Sequence, residues 1–224
     1  MMPSKTIKSL RSVLSLLATP LLASTLATAG ALEVTLIDKA GKPIADAVVE
    51  IVAPAAPLPA NVPMTASMDQ IDKEFVSPLL AVVVGTRVSF PNKDNIHHHV
   101  YSFSEAKTFE LPLWTGNNSK SVLLDKPGIV VVGCNVHDWM QGHIYVSATH
   151  RMAKSDARGK LLIPNLPAGG HAFRIWHARL KANEVARIHT VVIEERGNTA
   201  YQATLELGRD RRIRRAPSGL ARDY

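Results

Sequence analysis

One cysteine in 224 residues excludes an intramolecular disulfide framework. Aromatic residues make up only 5% of the chain, and no segment beyond Ala31 carries the 3.6-residue periodicity of a long amphipathic helix. Nothing beyond that point is long and apolar enough to span a bilayer. A hydrophobic share of 46% with 20% charged residues excludes wholesale disorder. Acidic residues are outnumbered, but the formal excess of +7 sits at the two ends. Lys5, Lys8 and Arg11 lie at the start, and six arginines follow Gly208 against Asp210 and Asp223. The body between is near neutral, which gives no footing for a nucleic-acid-binding face.

The basic start has a specific reading. Lys5, Lys8 and Arg11 precede a largely apolar run over residues 13–26, and the small residues Ala27-Thr28-Ala29 and Ala29-Gly30-Ala31 follow. This order predicts a signal peptide over residues 1–29, cut after Ala29 or Ala31. Pro20, Ser15, Thr19 and Ser24 interrupt the run, against a retained membrane anchor. The mature chain is then exported, most simply to a bacterial periplasm, with no stable membrane span. A lone cysteine in an oxidising space must be buried, pair between chains or bind something.

What is abundant is turn chemistry: 13 glycines and 14 prolines. Between them stand short runs that alternate or are β-branched, at residues 32–37, 47–52, 75–76, 79–84, 87–90, 100–103, 120–124, 129–133, 143–147, 161–163, 172–176, 188–193 and 201–207. Pro54, Pro57, Pro59 and Pro63 stiffen a stretch that is neither helix nor central strand. The expectation is an all-β protein of sandwiches or barrels. The arginine-rich end, residues 208–224, reads as a solvated tail.

The chemistry concentrates in Gly133-Cys134-Asn135-Val136-His137-Asp138-Trp139-Met140-Gln141-Gly142, between two strand-like runs. A thiolate, an imidazole and a thioether share one loop with the spacing Cys-x2-His-x2-Met. Upstream, Asn92-Lys93-Asp94-Asn95-Ile96-His97-His98-His99-Val100 supplies further imidazoles. Zinc has little use for a thioether, and oxygen-seeking ions find no carboxylate cage. Cysteine thiolate, two histidines and a weak methionine are the donors of a type 1 (blue) copper site. Two alternatives stand beside that reading: Cys134 as an inert buried thiol, and Met140 as core filler. Trp114 and Trp176 read as core, and His143 and His150 as strand-surface residues.

These residues resemble the cupredoxin (type 1 blue-copper) family, with a ligand loop of amicyanin-like length, over roughly residues 70–148. The resemblance implies a Greek-key β-sandwich, one type 1 copper ion, His98, Cys134 and His137 as equatorial ligands and Met140 as the axial one. It also implies that His137 is the port nearest the surface. His97 and His99 are then solvent-facing or supporting residues. The family usually has Asn after the first histidine and Ser or Thr after the cysteine, where this chain has His99 and Asn135. Those two are expected to hydrogen-bond with their roles exchanged. The whole chain also resembles bacterial periplasmic methylamine utilization proteins, which are cupredoxin-like.

The flanks, with Asp38-Lys39-Ala40-Gly41-Lys42-Pro43 and Leu166-Pro167-Ala168-Gly169-Gly170, are similar to a carboxypeptidase-regulatory-like (transthyretin-like) β-sandwich. The implied organisation is a first part over residues 32–53, a Pro-rich linker over 54–64, an inserted cupredoxin domain over 65–148 and a second part over 149–207. The function expected is a periplasmic carrier of single electrons, not an enzyme. Its partners would be periplasmic redox proteins, a c-type cytochrome or a dehydrogenase, and not nucleic acid. The alternatives are a copper-binding module for storage, sensing or delivery, and a purely structural β protein.

Overall fold

Seventeen short strands and one helical turn make up the computed structural model, which describes residues 29–54, 57–116 and 119–210. Residues 1–28 of the expected leader and residues 211–224 of the expected tail lie outside the described residues. In chain order the strands begin with β1 (Ala29–Asp38) and β2 (Val48–Val52). A middle group follows: β3 (Thr65–Ser67), β4 (Asp69–Ile71), β5 (Glu74–Val76), β6 (Leu79–Val83), β7 (Thr86–Phe90) and β8 (His98–Ser104). It continues with β9 (Lys107–Trp114), β10 (Lys120–Leu124), β11 (Gly128–Gly133) and β12 (Gln141–Ser147). Then come β13 (Met152–Lys154), β14 (Lys160–Pro167), β15 (Gly169–Trp176), α1 (Ala182–Val185), β16 (Ile188–Ile193) and β17 (Asn198–Leu205). The protein is all-β, as its turn-rich composition predicts. Among the described residues no helix is long and apolar enough to cross a membrane.

Pairing divides the strands into two sandwiches. The middle group forms a five-stranded sheet, β6-β12-β11-β8-β9, and a three-stranded sheet, β10-β7-β3. Val88, Phe90, Val122 and Leu124 from the smaller sheet share one buried cluster with Val100, Val130, Val132, Ile144 and Val146 from the larger. The outer strands form β14-β1-β17 and β13-β2-β15-β16, which close over Leu32, Val34, Leu36, Ile51, Leu161, Ile163, Phe173 and Ile175. Thus β1 and β2 pair with strands that come after β12, and the chain leaves this sandwich and returns to it. The predicted cleavage residues Ala29 to Ala31 open β1, where Ala29 pairs with Pro167.

Four strands escaped the sequence reading, the three-residue β3, β4 and β13 and the longer β9. β9 carries Pro112 together with Lys107 and Glu110, so it does not look like a core strand. It is the edge of the five-stranded sheet, where a residue without an N–H is tolerated. The register between β8 and β9 shifts between His98 and Val100, opposite Pro112 and Leu113. Bulges of this kind re-aim side chains beside functional sites.

The two sandwiches meet across a small apolar cluster of Val48, Leu79, Tyr145 and Trp176. His143 is part of this seam and not a free surface residue: its ring centroid lies 5.7 Å from that of Trp176. Beside the cluster, the buried carboxylate of Glu50 on β2 accepts hydrogen bonds from Tyr145 Oη at 2.5 Å and Ser147 Oγ at 2.6 Å on β12. Arg174 Nε stands 3.6 Å from the same carboxylate. A carboxylate removed from water is tolerable only with such donors in place. Glu50→Gln is therefore expected to cost about 1–3 kcal/mol in urea unfolding. A double-mutant cycle with Tyr145→Phe should return a coupling of about 1 kcal/mol; additive effects would contradict the clamp.

Candidate metal centre

β8 and β11 are neighbours in the five-stranded sheet, and the donors sit at their ends. His98 opens β8 and Cys134 directly follows β11. Alternation along β8 turns His98, Val100 and Ser102 inward, and His98 is completely buried. The loop from Cys134 to Met140 is closed by two backbone hydrogen bonds, Cys134 N to Met140 O at 3.2 Å and Met140 N to His137 O at 2.9 Å. Its tight turn brings His137 back over the sulfur.

Cys134 Sγ lies 3.8 Å from His98 Nδ1 and 3.7 Å from His137 Nδ1. The three donor atoms lie within 4.8 Å of one another, and all three residues are buried. Among the described residues no other group of three or more His, Cys, Asp or Glu converges in this way. The spacing fits one shared ion. With bond lengths of about 2.3 Å to sulfur and about 2.0 Å to nitrogen, as in zinc sites, a ligand angle near 110–120° gives sulfur–nitrogen separations of about 3.5–3.7 Å. Met140 is buried in the same apolar cluster as Cys134.

The electrostatics favour a ligating sulfur. Burial pushes the Cys134 thiol up, but the His98 imidazole and the backbone N–H groups of His99, Val136 and His137 act against it. The net effect holds the thiol below its ordinary range. His98 moves the opposite way: burial lowers its basicity, and Cys134 and Asp94 outweigh that and raise it. Thiolate and imidazole thus stabilise each other before any ion arrives.

Asp94 fixes the tautomer. His98 Nε2 donates to Asp94 Oδ2 at 2.7 Å, which leaves Nδ1 to face the sulfur. The same carboxylate accepts from the backbone N–H groups of Asp72 at 2.7 Å and Lys73 at 2.9 Å. Those residues form the turn between β4 and β5 and both have positive φ, 55° and 62°. Trp139 Nε1 donates to Lys73 O at 3.1 Å, so the same turn also braces the ligand loop. Asn92 shapes the upstream loop: its amide donates to Ile96 O and Trp114 O and its carbonyl accepts from Asp94 N. The sequence displays Asp94 four residues before His98, and that interval is the signal that could have found the pair.

The expected bond between His99 and Asn135 is not formed. His99 Nε2 pairs with Glu110 Oε1 at 2.9 Å across the strand pair β8 and β9, and its Nδ1 has no partner. The physical reason is alternation: His99 lies on the opposite face of β8 from His98 and turns to the edge strand, while Asn135 is exposed on the loop. His97 is exposed and stands outside the cluster.

No family model and no curated protein matches the chain. Among solved structures, it is similar to a purple cupredoxin from Nitrosopumilus maritimus, at 21% identity over 37% of this chain and 99% of that one, with a TM-score of 0.34. It is similar to a copper-containing nitrite reductase from Thermus scotoductus, at 25% identity over 44% of this chain and 25% of that one, with a TM-score of 0.35. A reduced variant of amicyanin matches at 20% identity over 44% of this chain and 98% of that one, also with a TM-score of 0.35.

Asp94 is held below the usual carboxylate value of 3.8: burial raises it, and the Lys73 N–H, His98 and the Asp72 N–H outweigh that. A depressed carboxylate stabilises the fold above its unfolded pKa and loses that contribution as pH falls through the lower, folded value. Asp94→Asn should destabilise the metal-free protein by about 1–3 kcal/mol at neutral pH. The difference from wild type in urea unfolding should persist down to about pH 5 and shrink below about pH 4. A difference independent of pH would mean that the carboxylate charge is not what holds His98.

Proposed function

We propose that this chain is an exported type 1 copper protein that carries single electrons between redox partners. In this reading His98, Cys134 and His137 hold the ion and Met140 is its weak axial ligand. The observation that supports it is the convergence of one thiolate and two imidazole Nδ1 atoms, at 3.7–3.8 Å, in a buried pocket. Bound there, copper supplies a one-electron couple between Cu(I) and Cu(II).

The chain's own part is to keep the donors still. His98 is fixed by Asp94, Cys134 by backbone N–H groups, and His137 by the closed loop. Strand ends anchored in one sheet leave little to rearrange when the charge of the site changes by one. The apolar cluster around Cys134 and Met140 keeps water away from the sulfur. A carrier needs no substrate and is not an enzyme by itself. A leader over residues 1–29 places the protein in the periplasm, where a c-type cytochrome or a dehydrogenase is the partner class. The outer sandwich, likened to carboxypeptidase-regulatory-like modules, serves as a rigid support. The resemblance to methylamine utilization proteins suggests a pathway that the site itself does not specify.

Copper-loaded protein should show an intense visible thiolate-to-Cu(II) absorption that bleaches reversibly on reduction, and Cys134→Ser should abolish it. Met140→Leu should keep the colour and raise the potential. A colourless protein that releases copper readily to a chelator would favour storage or delivery instead. Loss of copper from Met140→Leu would contradict a weak axial role.

A further inference from the structure

The seam between the two sandwiches is open on one side. Beside the cluster of Val48, Leu79, Tyr145 and Trp176 lies a cavity of about 680 Å³. One wall belongs to the sandwich of the middle strands, with Leu79 on β6 and Gln141 and His143 on β12. The other belongs to the outer sandwich: Trp176 at the end of β15, the loop over residues 177–181, and residues 208–210. Its volume is that of a small-molecule site, and such sites favour the boundary between two folded units.

The outer wall is fixed before anything binds. Arg179 N donates to His177 Nδ1 at 3.1 Å and Leu180 N to His177 O at 2.9 Å, so the loop turns tightly. Gly208 N donates to Arg179 O at 2.8 Å, and Arg179 Nε returns a bond to Gly208 O at 2.9 Å. Leu180 and Leu207 bridge the same two segments. This clasp uses Nε and orients the guanidinium, and its two terminal nitrogens remain as donors. A wall held in this way loses little further freedom when a ligand arrives.

The lining sets the chemistry of the occupant. Leu79 and Trp176 are apolar and nearly buried, and the His143 ring centroid stands 5.7 Å from that of Trp176. Around them, among the described lining residues, Arg179, Lys181 and Arg209 face only two carboxylates, Asp46 and Asp210. Asp46 already has a cation of its own, Lys154 Nζ at 3.1 Å. The cavity therefore favours a negative charge on an apolar body. A planar carboxylate matches the guanidinium fork, while the two acidic side chains weigh against several negative charges.

We propose that this cavity binds a small apolar monocarboxylate, its carboxylate toward Arg179 and Lys181 and its body against Trp176 and Leu79. Binding there is non-covalent and needs no metal at the candidate centre.

The test uses the full, metal-free chain with 1-naphthoate as the probe. Calorimetry should give one site per chain. The NMR signals of the Trp176 indole N–H and of amides 177–181 should shift, with the indoles of Trp114 and Trp139 unmoved. 1-Naphthylmethanol, the same body without the charge, should bind about tenfold more weakly, and Arg179→Gln should weaken naphthoate about as much. Inorganic phosphate, a charge without the body, should not displace the probe at equal concentration. Ala178→Glu places a carboxylate at an exposed point of the wall. It should keep the urea midpoint and weaken naphthoate by about tenfold. Equal binding of acid and alcohol, displacement by phosphate, shifts centred on Trp139 or spread over the surface, or undiminished binding in Ala178→Glu would each overturn the proposal.

Discussion

A buried sulfur held between two imidazole nitrogens is the constraint on which the rest of this molecule depends. Left alone in an apolar core, a thiol stays protonated and inert. Here burial is opposed by the N–H groups of His99, Val136 and His137 and by the His98 ring, which together favour the thiolate. Those groups are in place only because β8 and β11 lie side by side and the loop after Cys134 closes on itself. Fold and site are thus one problem: the sheet sets the separation of the donors, and hydrogen bonds around the loop set their orientation.

Support for the donors comes from outside the ligand loop. Asp94 links His98 to the turn of the β4–β5 hairpin, and Trp139 links the loop to the same turn. A perturbation of that short hairpin therefore reaches both halves of the centre. The outer sandwich acts at longer range. Glu50 grips Tyr145 and Ser147 on β12, the strand that begins immediately after Met140. The second sandwich is thus fastened to the strand that directly follows the Cys134–Met140 loop.

Strands were legible because each buries one face and the period of two survives in the sequence. Residues 130 and 132 point to the core and residue 131 to the surface, as alternation requires. Legibility failed where tertiary context overrides local pattern. β9 looks like a loop because Pro112 and its charges are allowed only at a sheet edge. Glu50 reads as an ordinary polar strand residue, and nothing local announces two hydroxyls arriving from β12. In the centre, Cys134 and His137 are visible from their spacing, and His98 needed the family resemblance to be chosen among three histidines. The exchange expected between His99 and Asn135 failed because side-chain alternation sends His99 to Glu110. The contact of Tyr101 with Gly133 was not legible either, because the two are distant in sequence and meet only through strand pairing.

The most direct test of the central claim is X-ray absorption at the copper edge of the full, copper-loaded protein. A coordination shell of one short copper–sulfur distance with two nitrogen neighbours is the expected result. A shell of nitrogen and oxygen alone would place the ion elsewhere and leave Cys134 a structural thiol.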